Sequence, residues 1–319
     1  MAGKAALKGI LPYGVSPSVM RIIEEADRSV ISISQFCEGS TDEFFQALAE
    51  AEVLLHVLEP VTSDLMRQAA RLRLVHKIGV GLDAIDLDYA KERGIAVCNM
   101  PGTNTPAVAE LALALMLACL RRIVPIANEV SGGKGWPARV GLLGELGEVG
   151  GRTVGLVGYG AVAQRLSKAL IALGARVVAY DPFVGSADVP LLELDALVEQ
   201  ADIVSLHIPL TKETMSLFDK SRLDRMKRGS ILINTARGPL VDERALEAKL
   251  RAGDILAAGL DVTVDEPPRA EHPLRKLENV VLTPHIAWLT DETWRRSMSV
   301  IVENCRRLVS GEPLLHRAV

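Results

Sequence analysis

From residue 153 onward the apolar residues fall into short runs, TVGLV, RVVAY, DIVSL, SILIN, LAAGL and NVVL, separated by mixed polar stretches long enough for a helix. Runs without polar alternation predict strands covered on both faces. Their spacing predicts crossover helices, and so a parallel sheet in an α/β fold. The first hundred residues follow the same grammar more loosely, with candidate strands in EVLLHVL and RLRLVHKI and a helix over residues 63–70. An apolar helical pattern at residues 107–122 and a further helix at 291–308 are expected to connect two domains, the first domain being discontinuous. The boundaries predicted are 1–101 with 287–319, and 102–286.

Composition narrows the class. The chain has 319 residues, 49% hydrophobic and 24% charged, ordinary for a soluble protein of one or two domains. A net charge of −4 without any block of like charges gives no footprint for nucleic acid. Cys37, Cys98, Cys119 and Cys305 are scattered without metal-type spacing, so buried thiols in a reducing compartment are expected, and no metal. Pro12 and Gly14 interrupt the N-terminus before a signal-length apolar region develops. The longest apolar run, residues 111–120, is about half a membrane span. A cytoplasmic protein with no membrane partner is expected.

Chemistry enters at the strand ends. VGLVGYGAVAQ places Gly158, Gly160 and Ala163 in a G-x-G-x-x-G/A pattern between a predicted strand and helix. Gly158 permits the tight turn, Gly160 lets a pyrophosphate approach the backbone, and Ala163 permits close helix packing. The turn at Tyr159 and the amides of Ala161 and Val162 would then face the phosphates. Asp181 ends the next strand near the usual offset of about 20 residues, where an acid binds ribose hydroxyls. Its charge would repel a 2′-phosphate, and Pro182 and Phe183 add no cation, so NAD is favoured over NADP.

Three further strand ends carry Arg237, then Asp261 and Glu266, then His285. Ligands of open α/β sheets bind beyond the carboxyl ends of the strands, so these residues should converge. Reduction of a 2-keto acid needs a fork for the carboxylate, a proton for the carbonyl oxygen and a partner for the proton donor. Arg237, His285 and Glu266 match those needs in turn. Asp261 could orient a nicotinamide carboxamide. Of the other histidines, His56 and His76 should pack within strands, His272 and His316 should be exposed, and His207 should border the cofactor.

With KIGVGLDAID, NTPAVAE, HIPLTKET, NTARGPLVDERAL, GLDVTVDEP and TPHIAW in order, the chain resembles the D-isomer-specific 2-hydroxyacid dehydrogenase family over nearly its whole length. The resemblance implies two Rossmann-like or flavodoxin-like domains with a cleft between them, the discontinuous one binding substrate and the other NAD. It implies a catalytic triad of Arg237, Glu266 and His285, acting on a small 2-hydroxy or 2-keto acid. Lys77 and the amides of Val80 and Gly81 would grip the substrate, with Asn104 beside it. Thr235 and Ala236 would border the nicotinamide, and Ile208 and Pro209 the adenosine. A homodimer is implied, which would explain the apolar helix at 107–120.

Two departures stand out: Ala161 and Lys77 occupy positions where many relatives carry Arg. The chain ends at Val319 without the regulatory domain of some phosphoglycerate dehydrogenases, so serine feedback is not expected. Trp288 suggests glyoxylate or hydroxypyruvate as substrate, with a 3-phosphoglycerate type also open, and Trp136 could reach a neighbouring subunit's site. The competing reading is an NAD(H)-sensing corepressor of the same fold.

Overall fold

The computed structural model describes residues 6–37, 41–133 and 146–319. Trp136 lies outside them. The chain divides into two compact units, residues 1–104 with 288–319, and residues 105–287.

In the first unit, strands β1 (Leu7–Leu11), β2 (Ile31–Gln35), β3 (Val53–His56), β4 (Leu74–Lys77) and β5 (Ala96–Cys98) form one parallel sheet in the order β2-β1-β3-β4-β5. Helices α1 (Pro17–Glu24), α2 (Asp42–Glu50), α3 (Ser63–Gln68) and α4 (Leu87–Glu92) make the crossovers. Each begins at a side-chain cap, Ser16, Thr41, Thr62 and Asp86, accepting an N–H three residues on. Such a cap contributes about 1 kcal/mol. The apolar pattern of the sequence marks β3 and β4 but not β1, β2 and β5. Lys8 and Gly9 break the apolar run of β1. Edge strand β2 alternates Ile and Ser, burying only Ile31, and β5 has three residues.

The second unit opens with α5 (Thr105–Leu120) and α6 (Ile123–Ser131). Its sheet comprises β6 (Thr153–Val157), β7 (Arg176–Tyr180), β8 (Ile203–Leu206), β9 (Ser230–Asn234), β10 (Ile255–Leu260) and β11 (Val280–Leu282). All are parallel, in the order β7-β6-β8-β9-β10-β11. Helices α7 (Ala161–Ala172), α8 (Leu194–Gln200), α9 (Lys220–Arg225) and α10 (Glu243–Ala252) connect them.

Two apolar cores cover the two faces. Ile231 and Ile233 pack toward α5 and α7, while Leu232 between them packs with residues of α8, α9 and α10. Double coverage is why these strands lack polar alternation. The strand order reverses between β6 and β8, which is where such sheets bind ligands. Helix α5 buries Leu115, Met116, Cys119 and Leu120 within this unit, whereas α6 buries nothing and exposes Ile123, Val124 and Val130.

Helix α11 (Asp291–Ser310) returns the chain to the first unit, burying Trp294, Met298, Ile301 and Cys305 on one face, against α1. Buried Asn304 ties the return together: its amide donates to His76 Nε2 (3.0 Å) and Leu315 O (3.1 Å), and its oxygen accepts from Leu315 N–H (2.7 Å). The last residues flank β5, with Ala318 N–H donating to Val97 O at 2.8 Å. Cys37 is exposed, against the expectation of four buried thiols, because it follows the end of edge strand β2; the other three are buried. Among the described residues no helix is long and apolar enough to cross a membrane.

Candidate active site

The turn after β6 is shaped for close backbone approach. Gly158 has φ +90°, and a Cβ there would lie 2.6 Å from His207 O and 2.8 Å from Ile208 Cγ2. Only glycine fits both the angle and the contact. Gly160 opens onto empty space as the N-cap of α7, with no side chain bonding the helix's first amides. Those donors and the helix dipole suit a pyrophosphate. Ala163 is buried in the core below. Tyr159 offers only backbone here, because its ring is buried and its hydroxyl bonds Ser167 (3.1 Å) and Asp188 (2.9 Å).

Asp181 braces this turn. One carboxylate oxygen accepts the Tyr159 N–H and the other the Phe183 N–H, each at 2.9 Å. Each oxygen keeps a further lone pair, so a ribose diol can bond to a carboxylate already fixed in place. These features fit a dinucleotide. His207 lies at the end of β8, its Nε2 paired with Ser205 Oγ at 2.9 Å, and burial of the ring drives its pKa down to about 4. Ile208 is half-buried and Pro209 exposed beside it.

The structure brings Glu266 and His285 together. Glu266 Oε2 lies 2.6 Å from His285 Nδ1, and its Oε1 accepts the Thr263 N–H at 3.1 Å. Burial pushes the Glu266 carboxyl up, but the bond and charge of His285, the Thr263 amide and Arg237 outweigh it and leave the pKa below its ordinary value. The remaining imidazole nitrogen of His285 has no partner among the described residues and is free to exchange a proton with a ligand. His285 has φ +54°, unusual for a residue with a Cβ.

Asp261 holds that conformation. It is 1% exposed. Its oxygens accept from Thr283 Oγ1 (2.5 Å), Ile286 N–H (2.9 Å) and Ala287 N–H (2.8 Å), and its own carbonyl accepts the His285 N–H at 2.8 Å. Burial raises its pKa against the pull of those donors and of His285. The carboxylate assigned by sequence to the nicotinamide is thus spent on the turn that presents His285.

Arg237 follows β9 on a turn organised by buried Asn234. The Asn234 amide donates to Arg237 O (2.8 Å) and its oxygen accepts the Ala236 N–H (3.0 Å). Arg237 Nη1 donates to Ala236 O at 2.7 Å. Thr235 Oγ1 is buried without a hydrogen-bond partner among the described residues. Sequence reasoning missed Asn234 and Thr283. The signal for Asn234 was a polar residue closing an otherwise apolar strand.

In the first unit, Lys77 is buried and its ammonium donates to Val57 O, so it is not a free surface charge. The amides of Val80 and Gly81 have no protein acceptor among the described residues, and Asn99 Nδ2 holds Val80 O at 2.9 Å. Asn104 is half-buried at the end of this unit. Trp288 is 6% exposed and packs with Tyr13 and Trp294, at 6.2 and 5.7 Å between ring centroids. It is a core aromatic of the first unit, which removes the basis for reading substrate from it. His272 is also not the exposed histidine expected, since its side chain is 13% exposed and paired with Glu243. His316 is exposed, while His56 and His76 are buried in β3 and β4. Among the described residues no His, Cys or carboxylate cluster could hold a metal.

Residues 113–287 match the family model described as the NAD binding domain of D-isomer specific 2-hydroxyacid dehydrogenases. The chain is 41% identical over 267 residues to hydroxypyruvate reductase of Thermotoga maritima, covering 82% of this chain and 86% of that protein. It is 40% identical over 261 residues to D-3-phosphoglycerate dehydrogenase of Archaeoglobus fulgidus, covering 80% of this chain and 48% of that one. The chain thus spans about half the length of the phosphoglycerate dehydrogenases it matches. The crystal structure of D-lactate dehydrogenase from Aquifex aeolicus, complexed with NAD and lactic acid, is similar with a TM-score of 0.81. That likeness has 29% identity and covers 96% of each chain.

Proposed function

The chain belongs to the D-isomer-specific 2-hydroxyacid dehydrogenase family, and from that premise we propose that it interconverts a small D-2-hydroxy acid and its 2-keto acid with NAD, with hydroxypyruvate or glyoxylate as the keto acid. The observation that carries this reading is the 2.6 Å pair of His285 Nδ1 and Glu266 Oε2. It fixes the tautomer and leaves the opposite ring nitrogen to exchange a proton with the substrate oxygen. The nicotinamide, when bound, supplies or takes up the hydride.

In the reductive direction His285 gives its proton to the developing alkoxide, and Glu266 steadies the ring. Arg237 holds the substrate carboxylate and offsets charge growing on the oxygen. In oxidation His285 accepts the proton. The amides of Val80 and Gly81 are suited to an anionic oxygen of the substrate, which supports reading the first unit as the substrate-binding one. The amides of α7 and Asp181 would hold the pyrophosphate and ribose of NAD.

The keto acid is inferred from the hydroxypyruvate reductase of Thermotoga maritima, which this chain matches along most of both lengths. We also infer a homodimer, supported by the apolar residues that α6 exposes. A reducing, cytoplasmic setting is supported by Cys37, Cys98, Cys119 and Cys305, all of them free thiols.

The test is NADH oxidation by the purified protein against glyoxylate, hydroxypyruvate, pyruvate and 3-phosphohydroxypyruvate, with His285→Ala alongside. Turnover with one of the first two is expected, reduced about 10²- to 10⁴-fold in the variant while NADH affinity holds. Tight NADH binding without turnover of any keto acid would favour the NAD(H)-sensing reading.

A further inference from the structure

Glu243, the first residue of α10, takes no part in the pairing of His285 but reaches the turn that makes it possible. Its Oε1 accepts the Val264 N–H at 2.8 Å, and its Oε2 pairs with His272 Nε2 at 3.1 Å. Both side chains are largely covered, 16% and 13% exposed. The neighbouring amide, of Thr263, donates to Glu266, whose other oxygen holds His285. One continuous chain of bonds therefore runs from Glu243 through the 263–264 peptides to Glu266 and on to the imidazole.

The same turn is also pressed by backbone. A Cβ on Gly238 would lie 2.0 Å from Thr263 C and 2.1 Å from Thr263 O, so the backbone next to Arg237 lies directly against it. A cavity of about 750 Å³, lined by Met215, Glu243, Val264, Asp265 and His272 among others, borders the turn, and Val264 is 48% exposed.

A turn pressed by backbone at Thr263 but bordered by open space at Val264 and Asp265 depends on its hydrogen bonds for position. A carboxylate acceptor is stronger in that role than a neutral one. Glu243 is itself fixed, because Asp242 caps α10 through the amides of Arg244 and Ala245. His272 Nδ1 is buried with no hydrogen-bond partner among the described residues, so the hydrogen bond orienting the ring comes from Glu243.

We propose that Glu243, steadied by His272, is a positioning residue that sets the 263–266 turn so that Glu266 meets His285. The proposal rests on the reading of Glu266 and His285 as the proton-handling pair.

The experiment is a double-mutant cycle on the full-length enzyme. Glu243→Ala, Glu243→Gln and His272→Asn are each made alone and with Glu266→Gln, and kcat, KM for hydroxypyruvate, NADH affinity and Tm are measured. Glu243→Ala should lower kcat about 10-fold, since small misplacement of a reacting group is costly, with NADH affinity within about twofold. Glu243→Gln keeps an acceptor for the Val264 N–H and should restore most of the rate. With Glu266→Gln already present, Glu243→Ala should cost less than about twofold more, because its route to His285 is gone.

Full additivity of the two losses would overturn the proposal. So would a Gln variant as slow as the Ala variant with a parallel fall in Tm, the mark of a merely structural role. If Glu243→Ala does not fold, His272→Asn carries the same cycle: it should lower kcat a few-fold alone and by less than about twofold with Glu266→Gln present, and full additivity there would equally overturn the proposal. Failure of the underlying reading is separately visible: unchanged kcat in Glu266→Gln alone would remove the pair, and the proposal with it.

Discussion

Asp181 and Asp261 both close strands of the second unit's sheet, and sequence pattern gives both the same task of touching the dinucleotide. The structure separates them. Asp181 is half-buried and accepts two backbone amides, one on each oxygen. Asp261 is fully buried and accepts three donors, all from residues 283–287. A carboxylate with spare lone pairs near solvent can take a ligand without releasing its protein partners, whereas one buried among its own donors is committed to the shape of a turn. Position in the fold alone does not distinguish these roles; the count and ownership of the donors does.

Replacing Asp261 by Ala is the severest test. It strands the Thr283 hydroxyl and two amides, so unfolding free energy measured in denaturant should fall by about 3 kcal/mol or more. The turn carrying His285 at φ +54° would relax, and kcat should fall at least about 100-fold. If stability holds and only NADH affinity suffers, Asp261 is a ligand contact after all and the contrast collapses.

Asp181→Ala should act the other way. NADH titration should show affinity weakened about 10- to 100-fold, the equivalent of charged hydrogen bonds of roughly 1.5–3 kcal/mol. The rate at saturating NADH should stay within about threefold, and the preference over NADPH should narrow. A large loss of kcat would make Asp181 part of the turn's working geometry as well.

The smallest effect is in acid, and its pH window differs between the regions. His207, behind the glycine turn, has a pKa of about 4 in the folded chain against an ordinary 6.5. The unfolded chain therefore binds a proton across that window that the folded chain refuses, and stability falls as pH drops from about 6.5 to 4. Glu266 has a depressed pKa, so its contribution is complete above its ordinary 4.5 and is lost only as pH falls through the lower folded value. Denaturation curves of His207→Gln should be flatter than wild type between pH 6.5 and 4, by of order 1 kcal/mol for a half-buried ring. An unchanged slope would mean that this ring is not the one resisting protonation.

Much of the site was legible because a parallel sheet delivers its strand ends to one edge, so Gly158, Asp181, Arg237, Glu266 and His285 could be picked out as polar or glycine residues closing apolar runs. What escaped was the bracing. Asn234 and Glu243 act through bonds to backbone across turns, and Thr283 through its bond to the Asp261 carboxylate, and nothing in their spacing marks such partners. His272 reads as an exposed loop residue until Glu243 is seen beside it. Trp288 shows the opposite error, an aromatic next to a motif that serves the core. In the first unit, Lys8 and Gly9 hid a central strand, because a strand with one polar and one side-chain-free position carries too little apolar signal for pattern reading.

The return of α11 sets an order of assembly. The second unit is one continuous stretch, and its sheet can close while residues 288–319 are still being added to a growing polypeptide. The first unit cannot finish then: Asn304 must reach His76, and Ala318 must reach Val97, across more than two hundred positions of sequence. The long loop makes closing that unit entropically the slower event. A nascent chain would thus carry the paired Glu266 and His285 before it possesses the last residues that flank β5.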